Sequence, residues 1–320
     1  MTIRDWRSRA AQAATAAAAG SALAAAAAPE DELYIPEAEP VTEGVYAVIG
    51  PTEGRTYANH GMNANYGIVT TGEGVVLIDS GPTAFSAELL AEAVAEVTDE
   101  PIRWVLNIGV QDHRWLGNDY FQREHDAEVI AFEETAAQQR EFAEDHLTGR
   151  LADAVEDRLE GTEPAFADRE LSGERAELEL GGVELELQRT DAHFPGDAMA
   201  YLPEADVAFT GDLVYVDRML GIHPWSSVAN GYEAYQELEA LDPGTVVPGH
   251  GRVSGMERVA RDTGAYYEFL VDEVGEAAQA LEPLDEVVER YSEVEAFKHL
   301  EHYDGWHESN VNRAYLEQQL

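Results

Sequence analysis

Leu106–Phe121 reads LNIGVQDHRWLGNDYF. Trp104, Val105 and Leu106 form a short apolar run of the kind a buried strand uses. Asn107 to His113 is polar and contains Gly109, which marks a loop, and from Trp115 to Phe121 apolar residues return at helical spacing. The stretch predicts a strand, a loop and a helix, with Asp112 and His113 placed at the carboxyl edge of a sheet. Both are residue types that ligate metals. A single Asp-His pair is commonly no more than a surface loop, so its meaning depends on what else the chain brings to the same edge.

Working outward on the N-terminal side, Val45–Ile49 reads as a strand. Asn65–Thr71 and Val75–Asp79 flank Gly72-Glu73-Gly74 as a hairpin, and Leu89 to Val97 has helical spacing. On the C-terminal side, residues 128–131 form a short strand and residues 133–159 a polar helical region. Ala176–Leu180 and Val183–Gln188 alternate Glu with apolar residues around Gly181-Gly182, a hairpin with one solvated face. Met199–Leu202, Val207–Thr210 and Thr245–Val247 read as strands, and Gly231–Leu241 as a helix. Residues 256–320 read as helical throughout, broken at Pro283. Hairpins with strand–helix alternation, occurring twice, imply two mixed sheets face to face with helices outside. The expected divisions are an Ala-rich extension and Pro/Glu linker over residues 1–39, a folded unit over 40–255, and a helical extension over 256–320.

The chain has 63 acidic and 20 basic residues, a net charge of −43, and one lysine, Lys298. Such self-repulsion destabilises a compact chain at low salt, and molar salt screens it to within a few ångströms. The composition is similar to that of proteins from salt-in halophiles. The charge argues against nucleic acid and anionic membrane surfaces as partners. With no cysteine, disulfides, thiolate nucleophiles and Cys-ligated metals are excluded, and any metal must rest on His, Asp, Glu and water. Ala11–Ala28 is nearly all alanine after a mildly basic start. It reads as an extension on a cytoplasmic protein, the alternative being export through an atypical signal, and no stretch is long and apolar enough for a membrane span.

Three further loops follow strands and carry ligand-type residues beside glycine: Asp191-Ala192-His193-Phe194-Pro195-Gly196-Asp197, Thr210-Gly211-Asp212 and Pro248-Gly249-His250-Gly251. Glycine lets the backbone turn sharply and aim its neighbour into a shared pocket. With these loops in this order, and with NYGIVTTGEGVVLIDSGP over 65–82 as a first hairpin and Asp turn, the chain resembles the metallo-β-lactamase superfamily over roughly residues 40–255. The resemblance implies an α/β fold: a four-layer αββα sandwich of two mixed β-sheets flanked by helices, with the site at one sheet edge. It also implies two metal positions. One is held by two His of the first motif and a third His; the other by Asp, His and a distal His, with a bridging carboxylate.

The first motif departs from the family pattern, His-x-His-x-Asp-His between an Asn and a Gly-Asn. Asn107 and Gly117-Asn118 keep the outer frame, but Gly109 and Gln111 stand where the first two His would be, and Asp112-His113 lies one position early. One metal position has therefore lost half its protein ligands. The other keeps Asp112, His113, Asp212 and His250, with His193 as a weak further ligand. One Zn2+ is the expected cofactor, and Fe2+ and Mn2+ suit the same donors. Asp112 or His193 would move the proton, Asp79 would order the ligand loops, and Tyr215, Arg218 and His223 would contact a small-molecule substrate. The leading expectation is a hydrolase of small esters, thioesters or lactones. The alternatives are a non-catalytic member that binds a ligand or partner, and an iron-dependent oxidoreductase. His60 falls where this fold has a loop over the site, and His299, His302 and His307 read as packing or surface residues.

Overall fold

The computed structural model describes residues 33–319, and the reading of the alanine-rich start lies outside them. Among the described residues, twelve strands form two sheets. The first runs β1 (Ala38–Thr42), β2 (Val45–Val48), β3 (Tyr66–Thr70), β4 (Val75–Ile78), β5 (Ile102–Leu106), β6 (Glu128–Phe132) and β7 (Arg169–Leu171), neighbours in that order. The second is ordered β12 (Thr245–Val247), β11 (Val207–Phe209), β10 (Ala198–Leu202), β9 (Val183–Arg189) and β8 (Arg175–Leu180). Each sheet is mixed. β1 to β4 pair antiparallel and β4 to β7 parallel, while β8 to β11 pair antiparallel and β11 with β12 parallel.

Side-chain pattern accounts for the layers. Ile78, Leu106 and Ile130 of the first sheet share one buried cluster with Leu178, Leu185, Phe209 and Val247 of the second, which is the seam between the sheets. β4 is buried on both faces, because its other side chains, Val75 and Leu77, pack with Leu89, Leu90 and Val94 of the helix Ala84–Val97. That helix starts where Thr83 accepts the Ser86 N–H while the Ser86 hydroxyl accepts the Thr83 N–H, a capping box. Behind the second sheet, Met199 and Leu213 pack with Val259, Tyr266, Leu270 and Val311, so the C-terminal helices form the fourth layer. The arrangement is the αββα sandwich that the resemblance implied.

Two strands escaped the sequence reading. The segment read as a Pro/Glu linker contains β1, and β7 lies in a polar stretch; both are short edge strands with largely exposed side chains, which leave no alternation to detect. The loop before the helix also ends sooner than expected, since Asp112–Trp115 already forms a helical turn, followed by a second helix at Asn118–His125. Among the described residues, no helix is long and apolar enough to cross a membrane.

The acidic excess has a testable consequence. With a net charge of −43, the midpoint of thermal unfolding should rise steadily as KCl is raised from ~0.1 M to ~2 M, as screening removes self-repulsion. A midpoint indifferent to KCl over that range would contradict the electrostatic reading.

Candidate metal centre

The loop after β5 is stapled from both sheets. Asp79, at the end of β4 with φ of 64°, accepts the Ile108 N–H at 2.9 Å, and Asp197 accepts the Val110 N–H at 2.9 Å. Asp79 thus orders the loop that carries the first motif. Asp212 sits in a 3-10 turn, Gly211–Leu213, just past β11, and His250 follows β12. The backbone of the latter loop is held by Asn65, whose side-chain amide donates to the carbonyls of Pro248 at 2.8 Å and Gly251 at 2.7 Å.

Three side chains converge. His113 Nε2 lies 3.4 Å from Asp212 Oδ2, and His250 Nε2 lies 3.1 Å from Asp212 Oδ1. One potential ligand atom from each falls within 4.8 Å of the others, and all three residues are buried. Burial drives the His113 imidazole down to about 4 against the pull of Asp212, and burial together with the Arg218 cation pushes His250 well below its ordinary value. Both rings are therefore neutral at pH 7, the form that ligates metal. Burial alone would raise Asp212, but the Arg114 guanidinium, with His113, holds its carboxyl well below the usual range.

The donor set fits a cation in one specific respect. His250 Nδ1 lies 2.5 Å from the Asn63 carbonyl, and the tautomer that donates to that carbonyl from Nδ1 leaves a lone pair on Nε2. That Nε2 is buried and faces Asp212 Oδ1 at 3.1 Å. A ligating imidazole typically donates its other N–H to a carbonyl in this way.

A residue that the sequence reading passed over occupies the floor of the site. Arg114 is 1 % exposed. Its Nε and Nη2 donate to Asp212 Oδ2 and Oδ1 at 3.2 and 2.5 Å, and its Nη1 donates to Asp79 Oδ2 at 3.0 Å and to the Asn65 carbonyl at 3.1 Å. Gly109 makes room for it: a Cβ there would stand 2.6 Å from Arg114 Cγ. The signal was present in the motif frame. Counted from Asn107, position 114 is the place of the pattern's last His, so His113 and Arg114 stand where Asp and His are expected.

The other expected site residues are distributed around this core. Asp112 is not in the trio. Its carboxylate accepts from Arg55 and from the His113 N–H at 2.7 Å; burial would raise its pKa, but Arg55 together with His146 and His113 keeps it below the ordinary value. His193 is also outside the trio: its Nδ1 is 2.9 Å from the Gly221 carbonyl and its Nε2 is 3.1 Å from the Gln111 side chain. Burial lowers its pKa too. Tyr215 packs on the His250 ring with centroids 4.3 Å apart, Arg218 Nη1 lies 2.6 Å from His250 Nδ1, and His223 meets His193 edge-on at 4.7 Å. His60 is buried, with Nε2 2.8 Å from the Tyr34 carbonyl. The tail histidines are engaged elsewhere: His299 with Asp262 at 2.9 Å, His302 with the Thr52 carbonyl at 2.9 Å, and His307 with the Tyr291 carbonyl at 2.7 Å. Trp306, which the sequence did not single out, lies 5.0 Å from the Arg218 guanidinium.

Comparison with known proteins agrees with this fold. The family model described as "Metallo-beta-lactamase superfamily" matches residues 111–250. Solved structures with the same fold include a metallo-beta-lactamase from Pontibacter korlensis, 22% identical, covering 73% of this chain and 99% of that one with a TM-score of 0.59. The stereoselective inverting sec-alkylsulfatase Pisa1 from Pseudomonas sp. is 19% identical with a TM-score of 0.68, covering 88% of this chain and 50% of that one. The DIM-1 metallo-beta-lactamase is 17% identical with a TM-score of 0.56, covering 74% and 99%. No curated protein matches the sequence. The fold is that of metal-dependent hydrolases, and His113, Asp212 and His250 form a cluster that could hold a metal ion.

Proposed function

We propose that the protein is a hydrolase using a single divalent cation, Zn2+ in the first instance, held by His113, Asp212 and His250, and acting on a small ester, thioester or lactone. The observation that carries this reading is the buried His250 Nε2, 3.1 Å from Asp212 Oδ1 and in the same cluster as His113. An ion bound there supplies Lewis-acid polarisation of the scissile group and an acidified water. His193, whose neighbours Gln111 and Gly221 fix its ring, is the better placed proton carrier. Asp112, held ionised by Arg55, has little affinity for a proton at pH 7. Tyr215 and His223 would line the substrate side next to His250 and His193.

Metal analysis of the chain purified in molar KCl should find about one divalent ion per chain. Asp212→Ala should lose that ion and turnover of activated esters together. Asp112→Ala should keep the ion, because Asp112 lies outside the trio. A chain that retains no zinc, iron or manganese after equilibration with each would sink the reading. It would favour instead a non-catalytic binding member, for which the capture of both Asp212 oxygens by Arg114 speaks.

A further inference from the structure

His193 is buried, and its two ring nitrogens meet different kinds of neighbour. Nδ1 lies 2.9 Å from the Gly221 carbonyl, and Nε2 lies 3.1 Å from the Gln111 side-chain amide. A carbonyl can only accept, whereas an amide can present either its oxygen or its NH2 group. A neutral ring satisfies both neighbours in one way: Nδ1 carries the proton and donates to Gly221, and the Nε2 lone pair faces the Gln111 NH2 group. The Gly221 carbonyl therefore selects the tautomer, and whatever aims that carbonyl governs which nitrogen can take a proton.

The group that aims it comes from the C-terminal helix Tyr303–Glu317. Asn310 is 2 % exposed and holds the backbone on both sides of Gly221: its Oδ1 accepts the Ile222 N–H at 3.1 Å, and its Nδ2 donates to the Leu220 carbonyl at 2.6 Å. In extended backbone, the polar groups of alternate residues face one side and those of the residue between them face the other. With Leu220 and Ile222 turned toward Asn310, Gly221 turns its carbonyl toward His193. The same helix grips the loop twice more. Arg313 donates to the Ile222 carbonyl, and Glu317 accepts from the Ser227 hydroxyl at 2.8 Å and the Val228 N–H at 2.7 Å. Positions 310, 313 and 317 follow an i, i+3, i+7 spacing, which sets them along one helix face. Between the gripped ends, the Ser226 hydroxyl donates to the His193 carbonyl at 2.8 Å, so one loop holds this histidine by its backbone and by its ring.

We propose that Asn310 is a positioning residue for His193: by bracketing Gly221 it holds the imidazole in the Nδ1–H tautomer, with the Nε2 lone pair available for proton transfer. In that form Nε2 can take a proton from the attacking water while Nδ1–H stays on the Gly221 carbonyl. It then hands the proton to the leaving oxygen of the ester, which restores the neutral ring. The proton step rests on the hydrolase reading. The tautomer does not, because every group that sets it belongs to the protein.

The test is nitrogen-15 NMR of the histidine rings of the full chain in molar KCl after chelator treatment, with the His193 signals assigned by their loss in His193→Gln. Wild type should show His193 as the Nδ1–H tautomer. Asn310→Leu keeps the volume, removes both hydrogen bonds and should shift the ring toward Nε2–H. Asn312→Ala, whose side chain lines a groove with Leu284 and Val288 instead, should match wild type. In hydrolysis of an activated ester by zinc-loaded protein, Asn310→Leu should lower kcat roughly ten- to a hundredfold and change KM by less than about threefold. Nε2–H in wild type, or Nδ1–H retained in Asn310→Leu, would overturn the proposal. So would a tautomer change that leaves kcat of an active enzyme untouched. Should Asn310→Leu not fold, Asn310→Asp keeps the acceptor for Ile222 and loses the donor to Leu220; it must show less Nδ1–H than wild type, and an equal amount overturns the proposal. A chain with the expected tautomer shift and no hydrolysis leaves this inference standing and removes the hydrolase reading.

Discussion

Arg114→Met is expected to lower the free energy of unfolding by about 3–5 kcal/mol at pH 8, the range for breaking a buried ion pair by removing one partner. Arg114 donates to both oxygens of Asp212 and to one of Asp79, and all three side chains are buried. Methionine fills much of the volume next to Gly109 but leaves two carboxylates facing each other without a cation. The loss should depend on pH. Burial already raises the Asp79 carboxyl to about 7 with Arg114 present; without Arg114 it must rise further, and Asp212 must rise from its depressed value. A carboxyl raised above its unfolded value of about 3.9 binds more protons folded than unfolded, so stability falls as pH climbs from that value through the folded one. In wild type, Asp212 has the opposite sign: its contribution is complete above about pH 4 and is lost only as pH falls below that. The gap between the two proteins should therefore widen from pH 5 to pH 9. Urea unfolding in molar KCl measures it, and Arg114→Lys should fall between the two because one ammonium cannot reproduce three directed contacts. A deficit under about 1 kcal/mol that is flat with pH would show that the Arg114 bridge does not hold in solution.

This bridge also marks where the sequence stopped being readable. The strands of the sheet seam, both glycine hairpins and the order of the ligand loops were legible because burial on one or two faces imposes a period that composition cannot mimic. Three of the expected ligands, His113, Asp212 and His250, do come together. Asp112 does not, although it is adjacent to His113, because neighbouring residues on a helical turn point about 100° apart and Asp112 is drawn to Arg55. Spacing along the chain could not reveal that Arg55, 57 residues away, would claim it. Arg114 was hidden for another reason. An arginine in a ligand motif reads as surface, and only the missing side chain at Gly109 makes a buried place for it.

Gly251→Ala should be the most damaging single methyl in the molecule, destabilising it by about 2–5 kcal/mol and weakening metal retention at least tenfold. Gly251 has φ of 87°, where an L side chain is strained. A Cβ there would also overlap the carbonyl oxygen of Val216 and stand 2.8 Å from its carbon. That carbonyl cannot step aside easily. The Val216 N–H is bonded to the His250 carbonyl at 2.9 Å, the Gly249 N–H to Val214 at 2.9 Å, and the Asn65 side chain to Gly251 itself at 2.7 Å. Relieving the overlap means parting the Val214–Val216 segment from the His250 loop, which moves the imidazole away from Asp212 and from Asn63 together. Gly182→Ala separates the two causes. Its φ of 83° is nearly the same, but a Cβ there meets nothing within 4 Å, so it bears only the backbone strain of about 1–3 kcal/mol and should leave metal content unchanged. Calorimetry and metal analysis of the two variants side by side decide the matter. If Gly251→Ala proves no worse than Gly182→Ala in both measurements, the His250 loop is not pinned against Val216, and the position of the imidazole must be set by something other than this backbone contact.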